Sequence, residues 1–126
     1  MQNDLLILVI DDDPDICTMI KMVLEYHGYS ATDADGEEKT KKILLSEPVD
    51  LIIMDMLLSG LDGTDMCRHL KQDEKTSSIP ILMFSAHPNA KEICLKAGAD
   101  DFISKPFEMN DLMDKISFFL QSKKVG

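Results

Sequence analysis

The segment Leu5-Leu6-Ile7-Leu8-Val9-Ile10-Asp11-Asp12-Asp13-Pro14 decides the fold. An unbroken apolar run of this length suits a strand buried on both faces, as in a parallel sheet covered by helices. Acids end the run abruptly. Pro14 then stands where the first residue of a helix would, with Asp13 as its N-cap. Ile16, Met19, Ile20, Val23 and Leu24 follow at helical spacing, and Gly28 closes the helix.

The same rhythm recurs along the chain. Tyr29–Ala34 is more polar and predicts an edge strand, followed by a helix over Glu37–Ser46 that Pro48 ends. Val49–Met54 predicts a second buried strand, Ser59–Gly63 a loop, and Thr64–Gln72 a helix with Met66, Cys67 and Leu70 inward. Ile79–Phe84 predicts a strand, Asn89–Ala97 a short helix, Phe102–Ser104 a short strand, and Asn110–Leu120 a last helix. Strands alternating with helices predict an α/β fold with a parallel sheet covered on both faces. Met19 and Met66, with most of the other methionines, read as core filler.

Composition bounds the function. The 126 residues are read as a single domain, residues 1–126, with a core from about Leu5 to Leu120 and no room for an output domain. Acidic residues outnumber basic ones 23 to 13, the formal net charge is −10, and Arg68 is the only arginine. Such a surface repels nucleic acid and anionic membranes, so neither is expected as a direct partner. No apolar run approaches the ~20 residues of a membrane span. Met1-Gln2-Asn3-Asp4 does not begin a signal peptide. Cys17, Cys67 and Cys94 are widely spaced and read as buried, reduced thiols, which fits a cytoplasmic location.

In an open parallel sheet, chemistry collects at the carboxyl ends of the strands, near the point where strand order reverses. Asp11, Asp12 and Asp13 follow the first strand, and Asp55 the third. Ser85 and Ala86 follow the fourth, and Lys105 and Pro106 the fifth. Gathered carboxylates repel one another, and folding gains nothing by gathering them. A hard divalent cation relieves the repulsion, and Mg²⁺ suits oxygen ligands with several waters retained. One carboxylate could then attack phosphorus, with Lys105 and the metal holding the charge that develops. Competing patterns fail. Asp11, Asp13 and Asp15 begin a calcium-loop spacing, but Ile16 and Met22 stand where glycine and glutamate belong. A glycosidase-like acid pair would have few aromatics to bind sugar, and no glycine-rich phosphate loop is present.

Taken together, the motifs resemble the receiver domain of two-component response regulators over nearly the whole chain. They are Ile7–Pro14, Asp50–Asp55, Leu61-Asp62-Gly63, Pro80–Ala86 and Ala97–Phe107, in that order. The resemblance implies a doubly wound, flavodoxin-like three-layer sandwich with five strands in the order 2-1-3-4-5. It implies that Asp55 is the phosphoacceptor, charged from the phosphohistidine of a sensor histidine kinase or histidine phosphotransfer protein. It implies Mg²⁺, with Mn²⁺ as a substitute, on Asp12 directly, Asp11 largely through water, Asp55, and the backbone carbonyl of Leu57. Ser85, Ala86 and Lys105 would hold the phosphoryl oxygens, and Phe102 takes the aromatic switch position. A downstream protein would dock on the fourth helix, fifth strand and fifth helix, and a phosphorylation-dependent homodimer stays open. So does the alternative of a receiver module from a longer DNA-binding regulator or hybrid histidine kinase.

Several positions depart from the family pattern. Ser59 and Gly60 stand where a proline usually stiffens the loop after the acceptor, which predicts a looser loop. The stretch from Ser85 to Lys105 is short, which predicts a trimmed fourth helix or a trimmed loop before it. Lys39-Thr40-Lys41-Lys42 reads as a solvated helix face. Leu57 and His87 occupy the two positions that tune phosphate lifetime. An apolar Leu57 offers an attacking water no hydrogen bond and predicts slow self-dephosphorylation, while His87 could oppose it by orienting a water.

Overall fold

The computed structural model describes residues 5–58 and 61–125. The order of elements is β1 (Leu6–Ile10), α1 (Pro14–Tyr26), β2 (Ser30–Ala34), α2 (Glu37–Ser46) and β3 (Leu51–Asp55). A hairpin of β4 (Leu57–Leu58) and β5 (Leu61–Asp62) follows, then α3 (Gly63–Gln72) and β6 (Ile81–Ser85). The chain continues with α4 (Ala90–Lys96), β7 (Asp101–Ser104) and α5 (Met109–Val125).

β1 lies second from one edge of a five-stranded parallel sheet ordered β2-β1-β3-β6-β7. Without the separate two-residue hairpin strands, this is the expected order 2-1-3-4-5. The apolar run of β1 has its reason here, because both faces of the strand are covered. Leu8 and Ile10 pack with Ile52, Met54, Met83 and side chains of α2, α3 and α4. Ile7 and Val9 pack on the opposite face with Leu51, Ile53, Leu82, Phe84 and side chains of α1 and α5. Alternation along each strand thus feeds two cores, one per face. No helix among the described residues is long and apolar enough to cross a membrane.

The helix ends follow local chemistry. The Asp13 carboxylate accepts the Asp15 amide at 2.9 Å, as an N-cap should. Gly28 and Gly98, which follow α1 and α4, have φ of 92° and 110°, a region unfavourable for side chains. α4 has seven residues, in keeping with the short stretch that encodes it. Two readings need correction. Met19 is not core filler but 46% exposed, because Cys17, Ile20 and Leu24 already supply the inward face of α1. Thr40 is not solvated with its lysine neighbours. It is fully buried, and its hydroxyl donates to the Gly36 carbonyl at 2.7 Å. β5 and the first residue of α3 fall within the stretch expected as loop, because a two-residue strand leaves no periodicity. The looser loop predicted at Ser59 and Gly60 lies outside the described residues.

One tie joins three connections. Lys71 Nζ lies 2.7 Å from Asp100 and donates to the Ile79 carbonyl at 2.8 Å, while Asp100 accepts the Ile81 amide at 2.8 Å. The end of α3, the entry to β6 and the turn before β7 are thereby fixed to one ammonium group. Lys71→Met should lower unfolding free energy by about 1–3 kcal/mol, since a part-buried carboxylate and a carbonyl lose their charged donor. Urea unfolding measures this. A loss no larger than that of Lys42→Met, an exposed lysine, would show the tie to be idle.

Candidate functional site

Register places the site. Ile10 pairs with Met54 across β1 and β3, so Asp11 and Asp55 leave the sheet as neighbours where strand order reverses. Asp55 pairs with Phe84 across β3 and β6, and Ser85 with Ser104 across β6 and β7. Every strand end read from sequence as a source of chemistry therefore opens on the same edge. Asp13 is the exception, being exposed and occupied as the N-cap of α1.

Asp55 is held from two sides. The Leu57 amide donates to its Oδ1 at 3.2 Å, and Lys105 Nζ lies 3.5 Å from its Oδ2. Both side chains are largely covered, at 13% exposure for Asp55 and 27% for Lys105. The Lys105 ammonium also sits 4.7 Å from the centroid of the Phe84 ring, which is fully buried and packs edge-on against Phe107. An aromatic face attracts a cation and steers the lysine stem toward the acid. The Lys105 amide donates to the Ser85 carbonyl at 2.9 Å, so lysine and serine share a backbone link.

Ser85 is 3% exposed, and its Oγ accepts the His87 amide at 3.0 Å. That bond uses an oxygen lone pair, and the hydroxyl keeps a proton to donate. Ala86 and His87 are exposed just beyond it. His87 Nδ1 takes the Asn89 amide at 3.2 Å, which turns part of the ring back on its own loop. Phe102 is buried at 6% exposure in the core shared with α2, α3 and α4. Leu57 is 57% exposed. A cavity of about 490 Å³ lies elsewhere, between α2 and α3, and none of these residues lines it.

Asp11 is the electrostatic anomaly. It is 2% exposed, its Oδ1 accepts the Asp13 amide at 2.9 Å, and its Oδ2 is buried with no hydrogen-bond partner. Burial pushes its pKa up to about 6, with the neighbouring Asp55 and Asp12 adding to the rise. A buried carboxylate oxygen without a donor suits a hard cation. Among the described residues no three His, Cys, Asp or Glu side chains come together as a metal-binding group. The three cysteines are free and buried, with thiols pushed up to about 11 chiefly by burial. They are poor metal ligands and poor nucleophiles.

The Asp11 shift has a sign. Folded Asp11 keeps its proton up to about pH 6, whereas an unfolded Asp releases it near pH ~3.9. Between those values the folded chain binds more protons, so stability falls as pH rises, and the full cost stands above about pH 6. Asp11→Asn should therefore stabilise the metal-free chain by about 3 kcal/mol at pH ~7.5, and the gain should vanish below pH ~4. Urea unfolding in chelator across that range is the measurement. A variant no more stable than wild type at the upper pH refutes it.

Comparison with known proteins agrees with this geometry. Residues 7–117 match the response regulator receiver domain family. The chain is 36% identical over 122 residues to the phosphate regulon transcriptional regulatory protein PhoB of Pseudomonas aeruginosa, covering 95% of the chain and 53% of that protein. It is 37% identical to the alkaline phosphatase synthesis transcriptional regulatory protein PhoP of Bacillus subtilis, covering 95% of the chain and 50% of that protein. The chain thus spans about half the length of these curated relatives. The receiver domain of a sensor histidine kinase from Pseudomonas aeruginosa PAO1, solved with a magnesium ion coordinated in its active site cleft, superposes with a TM-score of 0.84. It is 27% identical, and the match covers 94% of this chain and 99% of that one. A match from β1 into α5, on the predicted sheet order, permits one placement: the chain belongs to the response regulator receiver domain family.

Proposed function

We propose that Asp55 accepts a phosphoryl group from the phosphohistidine of a sensor histidine kinase or histidine phosphotransfer protein. The approach of Lys105 to Asp55, 3.5 Å across 50 residues of chain, carries this reading. An Asp55 oxygen bonds to phosphorus as the bond from phosphorus to the imidazole nitrogen breaks. The imidazole leaves with the electron pair. Lys105 then has an oxygen of the transferred group to hold, and Ser85 has a hydroxyl proton to donate to another, with Ala86 beside it. Asp11, Asp12, Asp55 and the Leu57 carbonyl are the groups to hold Mg²⁺, with Mn²⁺ as a substitute. The bound cation supplies positive charge among the carboxylates and phosphoryl oxygens. The chain acts on no substrate beyond its own phosphorylation and dephosphorylation.

Phosphorylation has a route outward. Ser85 is tied to Lys105 through the backbone, and β7 pairs with β6 along Leu82–Ser85. A shift of Ser85 toward phosphate bears on Phe102 and on the α4, β7 and α5 surface, where a downstream protein would dock. The buried free thiols and the absence of a spanning helix among the described residues support a cytoplasmic place for it. A second reading makes this the receiver module of a longer DNA-binding regulator, because the curated relatives are transcriptional regulators about twice its span. In that reading too, nucleic acid is not met by this surface, whose formal charge is −10.

Acetyl phosphate with Mg²⁺, followed by intact-mass measurement, tests the assignment. Wild type should gain one phosphate and Asp55→Asn none. Label retained in the variant, or absent from wild type, sinks it. Phosphate lifetime is a separate matter. The exposed Leu57 side chain offers no hydrogen bond to an in-line water, so Leu57→Asn should shorten the half-life by about ten-fold. An unchanged half-life would leave His87 as the tuning position to test.

A further inference from the structure

Gly63, the first residue of α3, has no conformational need to be glycine. Its φ is not positive, so any residue could adopt its backbone. Space is what it lacks. A Cβ at this position would lie 2.7 Å from the Met56 carbonyl oxygen and closer still to that of Asp55. Both obstacles are backbone atoms, which cannot swing aside as the end of a side chain can.

The surrounding bonds show where displacement would go. The Gly63 amide donates to the Met56 carbonyl at 2.8 Å, and the Met56 amide donates to the Phe84 carbonyl at 3.0 Å. Asp62 accepts the Thr64 amide at 2.9 Å and its hydroxyl at 2.7 Å, and Thr64 is 2% exposed. Sheet and helix are thus anchored on either side. Between them lies the turn that carries Leu57, whose amide orients the Asp55 carboxylate.

We propose that Gly63 is a positioning residue for phosphoryl transfer, its missing side chain letting the start of α3 rest on the Asp55 and Met56 carbonyls and so set the turn that aims Asp55. The inference rests on the phosphoacceptor reading. It differs from a stability role in predicting that the site loosens before the fold does.

The test compares Gly63→Ala with Ile116→Ala, a substitution in α5 on the opposite face of the sheet. Mg²⁺ affinity by titration calorimetry and initial phosphorylation rate by intact mass are measured where circular dichroism shows each chain folded. Gly63→Ala should lose about ten-fold in both, as substitutions that support metal ligands do. Ile116→Ala should change neither by more than about two-fold, since Ile116 packs in the core on the face of the sheet away from α3. Equal losses in the two variants, or none in Gly63→Ala, overturn the proposal. Should Gly63→Ala not fold, Asp62→Ala decides, because it frees the start of α3 without adding bulk. Weakened Mg²⁺ binding in it supports the positioning role, and wild-type binding overturns it. A wild-type chain that takes up no phosphate sinks the phosphoacceptor reading and this role together, whereas active wild type beside equally active Gly63→Ala removes this role alone.

Discussion

The site depends on one unfavourable placement. Asp11 is withdrawn from water, one of its oxygens has no donor, and Asp12 and Asp55 stand close by. Among the described residues, Lys105 is the cation that reaches Asp55. Charge of one sign gathered in a poorly solvated cleft raises the energy of the metal-free fold, and no packing gain requires it. The sheet can hold such a cluster because its centre is apolar on both faces, with Ile7–Ile10 and Leu51–Met54 fully buried. Burial in the two cores offsets the cost of the cleft.

A parallel sheet also supplies the precision that phosphoryl transfer needs. Asp55 and Lys105 are 50 residues apart, yet their backbones are fixed by consecutive strand pairings through β6. Little of that precision rests on long flexible side chains alone, because the Lys105 ammonium sits over a buried ring. An aspartate, a lysine and a serine held from separate strands form a preorganised set of charges and donors, which is where most of the rate in such chemistry originates.

How much of this the sequence displayed depends on the range of the interaction. The strands were legible because covering both faces leaves an unbroken apolar run such as Leu5–Ile10, and α1 because Asp13-Pro14 marks its start. Asp11, Asp55, Ser85 and Lys105 were legible because each follows directly on a strand. Less legible were features set by packing between segments. Met19 has helical spacing like that of Ile20, and only the fit of α1 on the sheet turns it outward. Thr40 sits among lysines and is buried all the same. Gly63 reads as a loop glycine, and the close carbonyls that exclude a side chain there belong to residues seven and eight positions earlier.

The two cores are not equivalent, and the difference bears on how a signal could leave the site. On the side of α1 and α5 the buried set is mainly Ile, Leu, Val and Phe, with Met113 as its buried methionine. On the side of α2, α3 and α4, Met54, Met56, Met66 and Met83 are buried together with Phe102. Methionine has more rotatable bonds than a branched residue and refills a changed space at lower cost. Asp55 lies directly between Met54 and Met56, and Met83 pairs with Phe102 across β6 and β7. Strand alternation places Asp55 on the face of Leu51 and Ile53, so the adaptable methionines flank it from the other face, the one that holds Phe102. The face that Asp55 shares is built from the stiffer side chains, so a change at the site under the proposed function meets less resistance on the methionine side.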